Sequence, residues 1–260
     1  MAWMWMATVI ILLWAVSLWK VIHSSTMVPS KFQAIFHGEN AKNKKVLLVV
    51  AHPDDESMFF SPTIIFLISQ GHSLHILCMS TGNAGGKGSI RKEELYQACA
   101  VLGVPSRQVK VVDHPKLQDG FNEPWDHGLL ATIIGEQIKM LEIDTIITFD
   151  GYGISGHPNH RDVRHGLRNY LRESENRDEA WELISKGILR KYIGPVDVWL
   201  SIFHCLLRHP GQTCCFLNAS PRRSYRAMAE HQSQWLWFRK LFVLFSSYTY
   251  MNTLRKVSSH

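Results

Sequence analysis

Two short segments concentrate the residue types that bind metals and move protons. The first is His52-Pro53-Asp54-Asp55-Glu56, in which an imidazole and three carboxyl groups share five positions. The second is Gly156-His157-Pro158-Asn159-His160, a histidine pair three apart. Helix capping and the helix dipole account for one or two of the acids in the first cluster, but not for the His and Pro upstream of them. The histidine pair alone is a weak pattern in a chain with 14 histidines. Taken together the two segments hold more. Two histidines and a carboxylate, with one position left to water, make a catalytic zinc site. A further carboxylate beside such a site can take a proton from the water. A non-haem iron oxygenase is the rival on ligands, with His52, Asp54 and a distant histidine as its facial triad. That rival leaves Asp55 and His157 without roles.

For the two segments to meet, the fold must bring them to one crevice. Short apolar runs rich in β-branched residues at 46–50, 74–79, 109–112 and 145–149 read as strands covered on both faces. Helix-length segments at 58–70, 90–102 and 128–141 separate them, and Gly71 and Gly103 stop two of these. Alternation of strand and helix predicts an α/β, Rossmann-like fold: a mostly parallel sheet with helices on both faces. In the order 3-2-1-4 the first and fourth strands are neighbours, and their carboxyl ends border the switch point where ligands bind. The first cluster follows strand one and the second follows strand four. Beyond these, 181–184 and 214–217 read as strands and 221–230 as a helix. The tail 235–250 is strongly apolar, and reads either as a final core helix or as a surface lying in a membrane interface.

At the other end, residues 2–19 carry no charged side chain and include four tryptophans, a length and composition suited to crossing a bilayer. A cleavable signal peptide is the alternative, but no basic region precedes the run and no small-x-small site follows it. We therefore expect a transmembrane anchor at 2–22, a polar linker at 23–43 and one catalytic domain at 44–260. Lys20, Lys31, Lys42, Lys44 and Lys45 all follow the uncharged run 2–19, which predicts a cytosolic domain. Five cysteines, odd in number and without paired spacing, agree with a reducing compartment. The net charge of +6 is scattered and no nucleic-acid motif accompanies it. It suits an anionic leaflet better than nucleic acid.

Ala51-His52-Pro53-Asp54-Asp55-Glu56 with a later His157-Pro158-Asn159-His160 resembles the LmbE-like zinc deacetylases. Arg91-Lys92-Glu93-Glu94-Leu95, Leu189-Arg190-Lys191-Tyr192, His231-Gln232-Ser233-Gln234 and Trp237-Phe238-Arg239 narrow the likeness to the branch that acts on phosphatidylinositol-linked N-acetylglucosamine in glycosylphosphatidylinositol (GPI) anchor synthesis. The resemblance implies that His52, Asp55 and His160 ligate Zn2+, with other divalent metals open. It also implies that Asp54 is the general base and that a cationic His157 meets the developing negative charge. The implied substrate is a glycolipid at the endoplasmic reticulum membrane. For its phosphodiester, Arg91 and Lys92 are candidate partners; a solvated basic turn is the plainer reading of both. The glycine-rich loop 81–88 is not a Walker motif and reads as a cleft wall. Two readings of other classes stay open: the same chemistry on another N-acetyl sugar conjugate, and an anchored, non-catalytic subunit.

Overall fold

The computed structural model describes residues 1–23, 43–121, 124–174, 178–207 and 212–257, so the expected linker lies almost wholly outside the described residues. Seven strands form one sheet: β1 (Lys45–Val50), β2 (Ser73–Cys78), β3 (Val109–Val111), β4 (Thr145–Phe149), β5 (Glu179–Leu183), β6 (Thr213–Leu217) and β7 (Met251–Lys256). Their order is β3-β2-β1-β4-β5-β7-β6. The expected 3-2-1-4 core is present and parallel, and β5 extends it in the same sense. β7 enters antiparallel between β5 and β6. β1 and β4 are buried along nearly their whole length, as continuous apolar strands inside an α/β sheet should be.

An apolar helix, α1 (Ala2–His23), precedes the sheet and is long and apolar enough to cross a membrane. The other helices cover both faces of the sheet. After β1 come the short α2 (Asp55–Met58) and α3 (Ser61–Ser69); α4 (Gly88–Leu102) follows β2. The pair α5 (His127–Leu141) and α7 (Pro158–Glu173) pack on each other, with the single turn α6 (Gly153–Gly156) between β4 and α7. Gly166 makes that packing close: a Cβ there would lie 2.4 Å from the Leu130 side chain.

The carboxyl-terminal third adds α8 (Ile188–Tyr192), α9 (Asp197–Leu207), α10 (Pro221–Glu230), α11 (Trp237–Phe245) and α12 (Ser247–Tyr250). In α9 and α11 large apolar side chains face outward. The sides turned inward hold Asp197, Val198, Ser201 and Cys205 on α9 and Arg239, Phe242 and Val243 on α11, while the outer sides are apolar except for Lys240. The last turns of α1 dock beside α9. Trp199 Nε1 donates to Ser17 Oγ at 2.9 Å, and Trp14 meets Tyr250 edge-on.

Candidate active site

The site forms where β1 and β4 end side by side. After Val50 the chain turns sharply, and Asp54 takes φ 121°, a conformation that costs a non-glycine residue about 1–3 kcal/mol. Its neighbours hold it there. The Asp54 N–H donates to Glu56 Oε2 at 3.1 Å, and Glu56 Oε1 receives the Ser57 hydroxyl at 2.6 Å and sits 2.7 Å from His231 Nε2. Glu56 and His231 are wholly buried, and burial alone would discharge the imidazole; the facing carboxylate outweighs this and raises its pKa. Next along the chain, Asp55 turns its carboxylate inward. Oδ2 accepts the N–H groups of Ala51 (3.1 Å) and His52 (2.8 Å), and Oδ1 lies 3.1 Å from His160 Nε2.

The second loop is shaped by Asp150, whose Oδ1 accepts the N–H groups of Tyr152 and Gly153 and the Ser185 hydroxyl. It carries a second strained residue, Ile154 at φ 66°, anchored by its N–H to Ser185 Oγ and by its carbonyl to Lys191. Pro158 opens α7, and His157 caps it by accepting the Asn159 N–H on Nδ1 at 3.3 Å. His160 lies flat on Phe149 with ring centres 4.1 Å apart. Its Nδ1 sits 3.1 Å from the Gly153 carbonyl, a hydrogen bond that fixes the ring with Nε2 facing Asp55.

The two loops therefore open on one cleft of about 530 Å³, whose lining includes His52, Asp54, Asp55, His157 and His160. One ring nitrogen from each of His52, His157 and His160 lies within 4.8 Å of the other two. Charge in the cleft is tightly balanced. Burial favours a neutral Asp55 carboxyl, but His160 and His52 hold it below the usual carboxylate range. Burial likewise opposes charge on His52, and Asp119, Asp55 and Asp54 raise it nonetheless. His157 goes the other way: burial, with His52 and His160 beside it, lowers it to about 4. Because its Nδ1 accepts a hydrogen bond, its one proton is on Nε2.

Arg91 and Lys92 are placed differently from the expectation. The Arg91 guanidinium is buried and directed into the protein: Nη1 donates to the Gly82 carbonyl (2.7 Å) and Asp119 Oδ2 (3.0 Å), and Nη2 to the Pro53 carbonyl (2.8 Å) and Asp54 (3.4 Å). Those four bonds hold both Nη atoms, and Arg91 is itself among the residues that line the cleft. Gly82, at φ +69°, makes room for it: a Cβ there would lie 2.4 Å from the guanidinium. Lys92 is exposed and is not among the cleft's lining residues. Within loop 81–88, Gly82, Ala84, Gly85 and Lys87 do line the cleft, as its reading as a wall requires.

Two polar partners of the site were given no chemical role by the sequence, Arg239 entering only within a segment of resemblance and Asp119 not at all. Asp119 Oδ1 lies 3.1 Å from His52 Nε2, and His52 with Arg91 draws its carboxyl down to about 2 against the effect of burial. Arg239 reaches in from α11 to bond Asp54 Oδ2 at 2.5 Å. The segment before α11 is pinned as well, since Glu94 accepts both the N–H and the hydroxyl of Ser233. That gives physical roles to Glu94, His231, Ser233 and Arg239, which the sequence supplied only as points of resemblance.

A sequence profile of the family described as "PIG-L: GlcNAc-PI de-N-acetylase" matches residues 47–171. Over 241 residues the chain is 36% identical to a probable N-acetylglucosaminyl-phosphatidylinositol de-N-acetylase of Dictyostelium discoideum, covering 82% of this chain and 93% of that one. Over 212 residues it is 37% identical to the N-acetylglucosaminyl-phosphatidylinositol de-N-acetylase of Bos taurus, covering 81% and 82%. Among solved structures, N,N'-diacetylchitobiose deacetylase from Pyrococcus horikoshii superposes with a TM-score of 0.57 at 16% identity, over 92% of this chain and 91% of that one. At that identity the likeness speaks to the fold.

Proposed function

The chain belongs to the N-acetylglucosaminyl-phosphatidylinositol de-N-acetylase family, and from that premise we propose that His52, Asp55 and His160 hold its metal, with Asp54 as general base and His157 as oxyanion donor. It is an N-deacetylase that hydrolyses the acetamide of N-acetylglucosaminyl-phosphatidylinositol to glucosaminyl-phosphatidylinositol and acetate, within GPI-anchor biosynthesis. The donor set suits a divalent ion of the zinc type. Two imidazoles and a carboxylate converge, and while Arg91 and Arg239 pair with Asp54 and Arg91 with Asp119, Asp55 faces histidines. When bound, such an ion polarises the acetyl carbonyl and lowers the pKa of water.

The chain's own groups divide the rest of the chemistry. Asp54, oriented by Arg91 and Arg239, takes the proton of the attacking water as its oxygen joins the acetyl carbon. His157, with its proton on Nε2, donates a hydrogen bond to the carbonyl oxygen as negative charge builds there. The proton held by Asp54 then passes to the departing nitrogen as the C–N bond breaks, leaving acetate and a free amine. For the substrate's phosphodiester, we assign the cationic contact to Lys87, an exposed lysine on the cleft wall.

One observation supports this reading above the others: Asp55 lies within 3.1 Å of His160, 105 positions away, with Asp54 alongside. It is tested by acetate release from the phosphatidylinositol-linked sugar under nitrogen, with metal content measured on protein purified without added metal. Activity that demanded oxygen and iron, or an Asp54→Asn variant with full turnover, would overturn it. We further assign the protein to the endoplasmic reticulum membrane as a single-pass protein with its catalytic domain in the cytosol, on the apolar α1 and the lysines that follow it. Protease digestion of sealed microsomes checks this: the domain should be degraded without detergent.

A further inference from the structure

We infer that the outer faces of α9 and α11 are a second membrane contact, seated in the interfacial zone of the same bilayer that α1 crosses. The inference rests on reading α1 as a spanning helix and is independent of the deacetylase chemistry.

The length of α1 carries the argument. Its residues Trp3 to Leu13 stand clear of the domain, whereas Trp14, Ser17, Leu18 and Val21 form one helical stripe packed against it. These eleven free residues rise about 17 Å at about 1.5 Å each. The hydrocarbon core of a bilayer is about 30 Å thick. The missing distance, about 13 Å, must come from the turns already lying alongside α9. Whatever flanks those turns on the domain is therefore held at the depth of the bilayer's edge.

The surface found there is suited to that depth and poorly suited to water. On α9 the outward residues are Trp199, Leu200, Phe203, Leu206 and Leu207, each at least 43% exposed. On α11 they are Trp237, Phe238, Leu241, Leu244 and Phe245, again each at least 43% exposed. A surface helix of a soluble domain turns such residues inward and its charged ones outward. Here Asp197 and Arg239 face in beside Val198 and Val243, and, apart from the bond of Trp199 to Ser17 on α1, the outward apolar side chains stay exposed among the described residues. Two helices with exposed apolar sides, both packed on residues 194–196 and α12 and one of them touching the spanning helix, present apolar surface of a kind that marks a membrane or protein contact. Continuity with α1 selects the membrane. Because Arg239 joins Asp54 from the inner side of α11, this contact sets the cleft at the level where the head group of a phosphatidylinositol lipid would lie.

The test uses the full chain in lipid nanodiscs. All five native cysteines are free and buried, so a cysteine introduced at an exposed site takes a fluorescent label selectively. Labels go at Phe203→Cys, Leu241→Cys, Ile10→Cys and, as the water-facing control, Lys92→Cys. Continued resistance of the native thiols to labelling reports that each variant is folded; Leu207→Cys replaces any that fails. The expected result is quenching of the 203 and 241 labels by brominated lipid at a depth of about 5–10 Å, with protection from iodide, a deep label at 10 and an iodide-accessible label at 92. Iodide access at 203 and 241 with a deep label at 10 would sink the inference and leave the span standing. Iodide access at 10 would remove both. Labels at 203 and 241 shielded from both quenchers would mean that a protein, a second copy or another subunit, covers the surface, and would also overturn it.

Discussion

Asp54 carries both the strain and the reaction. Its φ of 121° turns the carboxylate toward Arg91 and Arg239 while leaving it beside the three histidines, a direction that relaxed backbone would not give. Replacing it by Asn keeps the shape and removes the base, so kcat should fall by about 10²–10⁴-fold with metal content unchanged, as single-turnover acetate release and elemental analysis will read. Lys87→Ala should leave kcat nearly intact and raise KM for the glycolipid about threefold to tenfold, with Lys92→Ala as a silent control. At this scale the sequence was informative where chemistry is local. His52, Asp54, Asp55, His157 and His160 stand in two compact motifs, and loop 81–88 announces itself by its glycines. Asp119 and Arg239 stand alone among ordinary neighbours, and nothing but the fold brings them within reach. The burial of Arg91 was not legible, because its position at a helix entry suggests exposure, whereas Gly82 gives it a buried berth.

Between elements, the decisive link is the Glu56–His231 pair, which ties α2 to the end of α10 and at the same time holds the Asp54 backbone. His231→Ala would leave the Glu56 carboxylate buried without its cationic partner. A loss of about 3–5 kcal/mol is expected, readable as an earlier denaturation midpoint of the detergent-solubilised chain. Glu56→Gln with His231→Ala should cost less than the two single changes summed, since each removes the other's stranded partner. The parallel strands, α4, α5 and α10 were legible because apolar runs and stop signals agree. Two helices were not. α7 begins on the polar stretch Pro158-Asn159-His160-Arg161, whose only helix signal is its proline, and α9 is apolar on the side where a soluble helix would be polar. β7 was unreadable too. Met251-Asn252-Thr253-Leu254-Arg255-Lys256 lacks an apolar run, and Asn252 is buried because it bonds Thr63 and the Phe59 carbonyl.

Across the whole molecule, the carboxyl-terminal third is knitted together by Asp197. Burial would raise its carboxyl, but Lys186 at 2.9 Å and Arg190 at 2.6 Å lower it below its ordinary value. A carboxyl lowered on folding contributes stability that is complete above its unfolded value, about 3.9, and is lost as pH falls through the folded value. Thermal unfolding of the wild type should therefore weaken in that acid window. Asp197→Asn should unfold earlier at pH 7 and lose less on acidification. The order of the sheet has a temporal consequence. Because β7 fills the gap between two strands made before it, and Arg239 and His231 are translated only shortly ahead of it, a nascent chain emerging from the ribosome can raise β1 to β5 and expose both histidine loops while Asp54 still lacks its clamp. Synthesis itself thus acts as a timer: the aspartate is set for hydrolysis only once α11 has followed the parallel strands out of the ribosome.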